Sequence, residues 1–421
     1  MDAVEVDNPE AEALSAVTVT ADRLTGADID AWNDLIAGHP DYGSCVLRPS
    51  FVIAVATSRD DVRVTIYRRG ARIIGVFAYH LRPGRLARPL GGPFADYAGP
   101  ILAADAGLDA TAILDLANLS AFKFQSLIDP YGVFLAYGTA NTPSYIIDLT
   151  GTDVETLLEI QRSAHPKRFK NFRRLRHQVE RDGGVLELKF GPPDQKALET
   201  LFGWKRAQLK SSGLVDVLRP NGSGRLLEAV RQNSVEPCDA WLVSLYLNGE
   251  MIAGHFGLRC PESFHPWIAA YHPEYAAISP GNMLVRAAIT EMPAMGLIRY
   301  DLAGGHDHFK KYYSNRSVQT YSGLVTLDDA FGRRARNREA MWERASGDES
   351  GVISRMKRRF DHIAVCEITA SARISAGLPV LISLACARLC AVPSKDLKSK
   401  RPGRLKSALT PLFRKPRYDR T

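Results

Sequence analysis

The residues whose types and spacing could do chemistry stand together in the stretch YDLAGGHDHFKKYYS. Asp301 ends an apolar run there, two glycines follow, and Lys310 comes shortly after them. A carboxylate at the end of a strand can orient an amine or accept its proton, and a lysine can bind a carboxylate or a phosphate. The alternatives are that Asp301 caps the helix after Gly305 and that Lys310 lies on a solvated face.

A second candidate is a helix start in the segment EYAAISPGNMLVRAAITEM. Ser279 is a favoured N-cap residue, Pro280 is a favoured first helical residue, and Gly281 removes a Cβ where a ligand could approach. The free N–H groups and the positive dipole of such a turn suit a phosphate or a pyrophosphate. The sequence therefore predicts a phosphate-binding turn that includes Asn282 and Met283, with a plain helix start as the alternative.

Strands must position both candidates. The strand in SFHPWIAAYHP, closed by His272, precedes Ser279, and the strand in GLIRYDLA follows the helix and carries Asp301. Helices and strands alternate throughout this part of the chain, which predicts an α/β or α+β fold.

The chain also repeats a strand pattern. VRVTIYRRGARIIG at 62–75 aligns without a gap with WLVSLYLNGEMIAG at 241–254. Each segment has a turn dipeptide, ending in Gly70 or formed by Asn248 and Gly249, between apolar runs, which predicts a β-hairpin. Two such hairpins so far apart indicate a duplicated domain, unless they resemble each other only because hairpin turns restrict the sequence.

Composition along the chain predicts four regions. Residues 1–27 form an acidic leader that we expect to be disordered. Residues 28–150 form an N-terminal domain, and residues 151–329 form a C-terminal domain that holds both candidate sites. Residues 330–421 form a basic tail, partly helical and partly disordered.

The motifs resemble those of a known superfamily. The order hairpin, strand, glycine-led helix and strand is similar to that of the GNAT acyltransferases. The pattern Asp301-x-x-x-Gly305-x-x-x-Phe309-Lys310 resembles the D-x-x-x-G-x-x-x-[YF]-K end of the CelD-like branch, which is linked to cellulose and exopolysaccharide synthesis and related to the FemAB transferases. The basic helix KRFKNFRRLRHQVERDGG and the segment GGPFADYAGP also resemble that branch, so the resemblance covers about residues 28–325.

The resemblance implies two tandem GNAT-like domains and acyl transfer from acetyl-CoA, or another acyl-CoA, to an amine. Asp301 would then orient the amine or accept its proton, with His272 as the alternative base because a histidine titrates near neutral pH. Lys310 would bind a substrate anion or pair with Asp301. Tyr312 would protonate the leaving thiolate, as a tyrosine does in many GNAT enzymes, unless it is a packing residue.

Three further residues are predicted to bind substrate. Asp96 and Tyr97, in GGPFADYAGP, would face the second-domain pocket across a cleft between the domains. Arg173 belongs to the basic helix, whose cations would attract a polyanionic substrate or the 3′-phosphate of CoA. A solvated helix face is the alternative for Arg173.

Cysteine and histidine usage limits the remaining chemistry. The six cysteines are scattered without a C-x-x-C pair, which predicts reduced thiols in a cytoplasmic protein. His306 and His308 lie close together, but no Cys or His cluster completes a set of metal ligands, so no metal is predicted. The N-terminus lacks a basic start followed by an apolar run, and a secretory signal is therefore not predicted.

The net charge of +8 is unevenly distributed. Residues 331–421 carry 21 Lys and Arg against 8 Asp and Glu, a net charge of +13, so the preceding residues carry −5. A tail of this kind favours peripheral membrane contact, and its apolar segment is interrupted by Pro379 and Arg388, which argues against a spanning helix. A nucleic-acid partner is not predicted unless it is a tRNA, and the charge of the body argues against a tRNA as well, although the tail could supply charge.

Three functions follow from these observations. The first is a cytoplasmic N-acyltransferase that uses acyl-CoA and a small-molecule or saccharide amine acceptor, in surface-polysaccharide synthesis. The second is a FemAB-like transferase that uses aminoacyl-tRNA, for which binding would depend strongly on salt. The third is a scaffold of a polysaccharide synthase without catalytic activity.

Overall fold

The structure is a computed structural model of the 421-residue chain. It describes residues 13–212, 214, 216–219, 223–232, 238–305, 309–346, 352–367, 371 and 373–375. All but the last of these residues belong to one unit that ends at Ile374.

In the first half, residues 13–148, a strand and two helices precede a hairpin and further strands. The elements are β1 (Leu14–Val19), α1 (Gly26–Ala37), α2 (Pro49–Ala56), β2 (Val62–Arg69), β3 (Arg72–Arg82), β4 (Leu86–Pro89), β5 (Ile101–Leu102), α3 (Ala110–Leu116), β6 (Ala121–Leu127) and β7 (Gly138–Asp148).

In the second half, residues 154–326, two helices precede a similar series, and two more helices follow it. The elements are α4 (Val154–Ala164), α5 (Pro166–Arg181), β8 (Leu186–Gly191), α6 (Gln195–Ser211), α7 (Ser223–Gln232), β9 (Asp239–Leu247), β10 (Glu250–Cys260), β11 (Ser263–Tyr271), α8 (Pro280–Glu291), β12 (Arg299–Gly304), α9 (Lys310–Tyr313), β13 (Arg316–Thr326), α10 (Ala330–Ser346) and α11 (Val352–Cys366).

The same order of elements occurs twice. Strand, two helices, hairpin, strand, helix and two strands correspond to β1 through β7 in the first half, with β5 added, and to β8 through β13 in the second, with α9 added. In each half the strand after the hairpin pairs in parallel with the strand after the next helix: β4 with β6 and β11 with β12. The predicted mixed α/β fold is confirmed.

The hairpin turns have the predicted backbone conformation. Asn248 and Gly249 have φ angles of 51° and 83°, and Gly70 has a φ of 55°. These positive angles match the twist of the flanking strands, and glycine and asparagine adopt them at little cost.

The last long strands are exchanged between the halves. β7 lies between β13 and β12, and β13 lies between β6 and β7, so a continuous sheet runs from β1 to β8. Neither half completes its own sheet, because each receives its central neighbour from the other half.

Helices cover both faces of this sheet. Successive residues of β9 point to opposite sides: Leu242 packs in a core cluster with α6 and α7, and Val243 packs in a cluster with α8. α8 contributes Met283 and Leu284 to the second cluster, where Phe264 and Tyr300 from the parallel pair are also buried.

A strand forms within the region predicted as a disordered leader, and this prediction is wrong for that part. β1 pairs antiparallel with β2, from Leu14 opposite Arg69 to Val19 opposite Val64. Its sequence LSAVTV has the β-branched residues that suit an edge strand, and these outweigh the acidic composition of the preceding residues. Residues 1–12 lie outside the described part of the chain.

A disulfide corrects the prediction of reduced thiols. Cys238 and Cys260 are bonded to each other. Asp239 pairs with Arg259 at the end of the β9–β10 hairpin, which places the two cysteines opposite one another on adjacent strands. A pattern of cysteine spacing does not reveal this contact. Cys45 is a buried free thiol.

The basic helices predicted for the tail are confirmed as α10 and α11. Residues 376–421, including the interrupted apolar segment and the predicted disordered end, lie outside the described part of the chain. No described helix is long and apolar enough to cross a membrane.

Candidate functional site

The parallel strands β11 and β12 part soon after they begin. They pair only at Ser263 with Arg299 and at Phe264 with Tyr300. Beyond these pairs β11 follows β10, with an irregularity at Trp267, and β12 follows β7. α8 begins after β11 and α9 after β12, so the gap opens toward the carboxyl ends of the strands, where open α/β sheets bind ligands.

A buried polar network lies where the strands part. Asp301 Oδ2 lies 3.2 Å from Nδ1 of His265, an ion-pair distance without hydrogen-bond geometry. Asp301 Oδ1 accepts hydrogen bonds from the Tyr97 hydroxyl at 2.9 Å and from the backbone N–H of Ala303 at 2.8 Å. The Ser144 hydroxyl lies 2.6 Å from the Tyr97 hydroxyl, to which it can donate. Four segments of the chain therefore meet at one carboxylate.

His265 holds a positive charge in this network. Its Nε2 lies 2.9 Å from Oδ2 of Asp96. Burial alone lowers the pKa of His265, but the carboxylates of Asp301 and Asp96 outweigh this effect and raise the pKa to about 10. The imidazole is therefore protonated at neutral pH and cannot accept a proton there.

The network leaves one of its carboxylates accessible. The Asp301 side chain is 9% exposed and already has partners, whereas the Asp96 side chain is 39% exposed. Burial raises the pKa of Tyr97 well above its usual value, so its hydroxyl remains a neutral donor. Asp96 is the member that a substrate can touch most readily.

A cavity of about 20 Å³ adjoins the network. This volume holds about one water molecule, so it does not hold a substrate. At its rim, Arg299 and Arg316 lie 3.2 and 3.1 Å from Asp148, and Arg316 also lies 2.6 Å from Asp41. These ion pairs fix the first half of the chain against the start of β12.

Sequence reasoning brought Asp96, Tyr97 and Asp301 to one place but missed His265. The residue lies in the segment SFHPWIAAY, and a polar residue within an otherwise apolar strand was its signal. Ser144 was missed as well, because its contact depends on the exchange of β7 between the halves.

The structure does not bring His272 to Asp301. His272 follows the end of β11, seven residues beyond His265. At about 3.3 Å per residue, this places it roughly 20 Å from His265 along the strand. Its Nδ1 accepts a hydrogen bond from the backbone N–H of Glu274, and its Nε2 lies 4.0 Å from Glu250. These local partners explain its position at the turn before α8.

Lys310 lies at the carboxyl end of β12. Its Nζ donates to the carbonyl of Gly304 at 2.7 Å, whereas the ionic partner of Asp301 is His265. The short helix α9 therefore holds the ammonium against the end of the strand. His306 and His308 lie outside the described residues.

Tyr312 packs against α5 and the turn that precedes it. The guanidinium carbon of Arg168 lies 3.7 Å from the centre of the tyrosine ring, and the His165 ring meets it edge-on at 4.7 Å. Arg173 lies on the exposed side of α5, with Lys170 and Arg174 as further exposed cations. The structure therefore places Arg173 on a basic surface, away from the buried network.

The start of α8 differs in part from the predicted phosphate turn. Pro280 is the first helical residue, as predicted, but Ser279 has a φ of 54° and its side chain makes no capping hydrogen bond, because a capping residue needs extended backbone. Met283 is a core residue whose N–H donates to the carbonyl of Ser279. Among the described residues, no acceptor outside the helix binds the N–H groups of Gly281 and Asn282.

The turn has open space at Gly281. A Cβ on Gly281 would meet only the Tyr271 ring, at 3.9 Å. The side-chain oxygen of Asn282 is buried without a hydrogen-bond partner. Among the described residues, no group of His, Cys, Asp and Glu side chains could hold a metal ion.

Comparisons with known proteins point to one domain type. Residues 166–311 match the family model described as an acetyltransferase (GNAT) domain, and the match includes the gap, α8 and the end of β12. A search of curated proteins found no match.

The solved structures that resemble this chain share little sequence identity with it. A tandem GNAT protein from the clavulanic acid biosynthesis pathway is 11% identical, with 76% of this chain and 100% of that chain covered and a TM-score of 0.45. FemX is 12% identical, with 74% of this chain and 98% of the FemX chain covered and a TM-score of 0.49. L-PGS from Bacillus licheniformis is 12% identical, with 70% of this chain and 92% of the L-PGS chain covered and a TM-score of 0.40.

The match over residues 166–311 and the parted parallel strands agree in position. The part of the second half that holds the parted strands is therefore similar to a GNAT-type acetyltransferase domain.

Proposed function

We propose that the protein is an acyl-CoA-dependent N-acyltransferase whose acyl donor binds in the gap between β11 and β12. The observation that supports this most is the separation of the two strands directly before α8, with the N–H groups of Gly281 and Asn282 at the open end. Such a turn suits a pyrophosphate. When bound, acyl-CoA supplies a thioester that an amine can attack.

Asp96 is the residue we assign to the acceptor amine. Its carboxylate is the most exposed part of the buried network and faces the imidazolium of His265. It can accept hydrogen bonds from the amine and orient it for attack. Asp301 and Tyr97 act as positioning residues, because Asp301 contacts His265, Tyr97 donates to Asp301, and both side chains are buried.

Lys310 and Tyr312 have less defined roles. Lys310, fixed against Gly304, lies where it can bind an anionic group of the donor. The role of proton donor to the thiolate, implied for Tyr312 by the resemblance to GNAT enzymes, stays a prediction, since its ring packs on Arg168.

The acceptor we propose is the amine of a small molecule or a saccharide, in line with the resemblance to CelD-like proteins. Transfer from an aminoacyl-tRNA is the second candidate, and the exposed cations of α5 favour it. A cytoplasmic location with membrane contact through the tail remains part of the proposal.

Calorimetric titration of acetyl-CoA tests the donor site. We expect saturable binding to the wild-type protein and none to Gly281→Trp, because the indole would occupy the space next to Tyr271. Gly203→Trp is the matched control, because Gly203 is exposed on α6 and a Cβ at this position would have no neighbouring atom within 4 Å. Binding that survives in Gly281→Trp would rule out the site, and binding of tRNA alone, with strong salt dependence, would favour the second candidate.

A further inference from the structure

The first half carries a row of basic side chains on one sheet face. His80 pairs with Arg88 across β3 and β4, and Arg82 lies two residues beyond His80, so all three point to the same side. β4 pairs in parallel with β6 through Ala87 and Phe122, and the next residue on each strand is basic. Arg88 and Lys123 are therefore neighbours on the face that α10 and α11 cover.

Carboxylates on these helices neutralise Lys123. Its Nζ lies 2.8 Å from Glu339 on α10 and 2.9 Å from Asp361 on α11. Glu339 also pairs with Lys357. The acidic groups that the helices bring to this face are thus already paired.

Arg59 and Arg82 are neutralised in a different way. Both lie close to Asp61, at 3.2 and 3.1 Å. Arg59 also donates to the carbonyl of Val365, and Arg82 to that of Ala364, at the negative end of α11. The Nε of Arg82 is nevertheless buried without an acceptor in the described part of the chain.

Arg88 has no such partner. It is 8% exposed, and its side chain makes no hydrogen bond or ion pair with the described residues. Burial lowers its pKa, and Arg338 and Arg373 lower it further, while Asp361 and Glu339 act in the opposite direction. Arg82, whose Nε lacks an acceptor, points to the same side of the sheet, and two buried guanidinium groups on one face are costly unless an anion neutralises them.

We propose that Arg82 and Arg88 form a binding site for a phosphate-type oxyanion beneath α10 and α11. Guanidinium groups bind the tetrahedral oxygens of phosphate through paired hydrogen bonds, and several guanidinium groups match its charge better than that of a single carboxylate. The site is separate from the proposed donor site, because it lies on β4 in the first half and not at α8.

The position of the site in the repeat supports the proposal. Arg88 follows the last bonded pair of β4 and β6, as His265 follows the last bonded pair of β11 and β12. Lys123 correspondingly occupies the position of Asp301. The second half places a carboxylate there and the first half places an ammonium, so the charge next to Arg88 must come from elsewhere.

Titration with sodium phosphate and sodium pyrophosphate at constant ionic strength tests the site. We expect saturable binding to the full chain, weakened at least tenfold in Arg88→Gln. Arg181→Gln, at the exposed end of α5, is the matched control and should bind as the wild type does. Binding should persist in Gly281→Trp, which separates this site from the donor site.

Stability without ligand is the second readout. Because Arg88 is a buried charge without a partner, Arg88→Gln should melt at a temperature equal to or above that of the wild type when phosphate is absent. A lower melting temperature would indicate a structural arginine, and so would equal phosphate binding in the wild type and Arg88→Gln. Either result would overturn the proposal.

Vesicles distinguish a free ligand from a lipid head group. Arg88-dependent binding to phosphatidylglycerol vesicles, and not to phosphatidylcholine vesicles, would assign the phosphate to a lipid. Arg88-dependent binding of free phosphate or pyrophosphate would assign it to a soluble ligand. Failure of both arms to depend on Arg88 would contradict the site.

Discussion

The two halves place opposite charges at the same structural position. After the parallel pair in the second half, His265 meets Asp301, and the first half contributes Asp96 and Tyr97. After the parallel pair in the first half, Arg88 lies beside Lys123, and helices α10 and α11 contribute the carboxylates. One fold therefore supports two kinds of site: in the second half Asp301 compensates His265 from within the strand pair, and in the first half the carboxylates come from outside it.

The difference distinguishes a network that positions reacting groups from a site that binds an anion. In the second half the network is complete within the protein, which fits a positioning role beside a reaction. In the first half Arg88 stays without a partner among the described residues, which fits recognition of an anion. The helices after residue 329 are thus part of the first half's site.

Removing the central carboxylate should have the largest effect on stability. Asp301→Asn leaves His265 in a buried position with Asp96 as its remaining charged partner. Breaking a buried ion pair costs about 3–5 kcal/mol, which urea unfolding measures. Asp96→Asn is the matched control and should cost clearly less, because that side chain is 39% exposed. Equal losses in the two variants would contradict the assigned roles.

Protonation of His265 should make the stability of the protein depend on pH. The pKa of His265 is raised from about 6.5 to about 10 in the folded protein, so its contribution is complete below pH 6.5 and is lost as the pH rises toward 10. The urea midpoint of the wild type should fall across this range more than that of His265→Gln. Parallel curves for the two proteins would show that His265 is not charged.

Lys123 links the first half to both helices, and its loss should have a moderate effect. Lys123→Met leaves Glu339 and Asp361 without this cation, at a cost of about 1–2 kcal/mol in unfolding free energy. The released carboxylates can then compensate Arg88, so phosphate binding should weaken. Stronger phosphate binding in Lys123→Met would argue against the arrangement of charges described for this face.

Tyr97→Phe should have the smallest effect. It removes one hydrogen bond to Asp301 and leaves the Ser144 hydroxyl without its partner, at a cost of about 1 kcal/mol. Loss of N-acyltransferase activity should appear in kcat more than in KM if Tyr97 acts through His265. Ser144→Ala is the companion variant, and a much larger loss there would show that the hydroxyl pair, and not Asp301, holds Tyr97.

Local sequence signals predicted the parts of the fold that depend on neighbouring residues. The turn at Asn248 and Gly249, the proline at the start of α8 and the basic helices of the tail all follow from backbone preferences. Asp301 was identified because it ends a strand and precedes glycines. Such signals depend on a few adjacent positions.

Features that depend on distant contacts were not predicted. The exchange of β7 and β13 has no local pattern, because either strand could pair with its own half. The role of His265 depends on that exchange and on a loop far away in the sequence. The unpaired state of Arg88 could be recognised only once the positions of α10 and α11 were known.

Hydrogen exchange with and without acetyl-CoA tests the central claim most directly, since it compares the halves in one experiment. We predict slower exchange for backbone amides at the end of β11 and at Gly281 and Asn282, and no change at the end of β4 or the start of α3. Equal protection of both halves, or protection confined to the first half, would contradict the assignment of the donor site to the gap between β11 and β12.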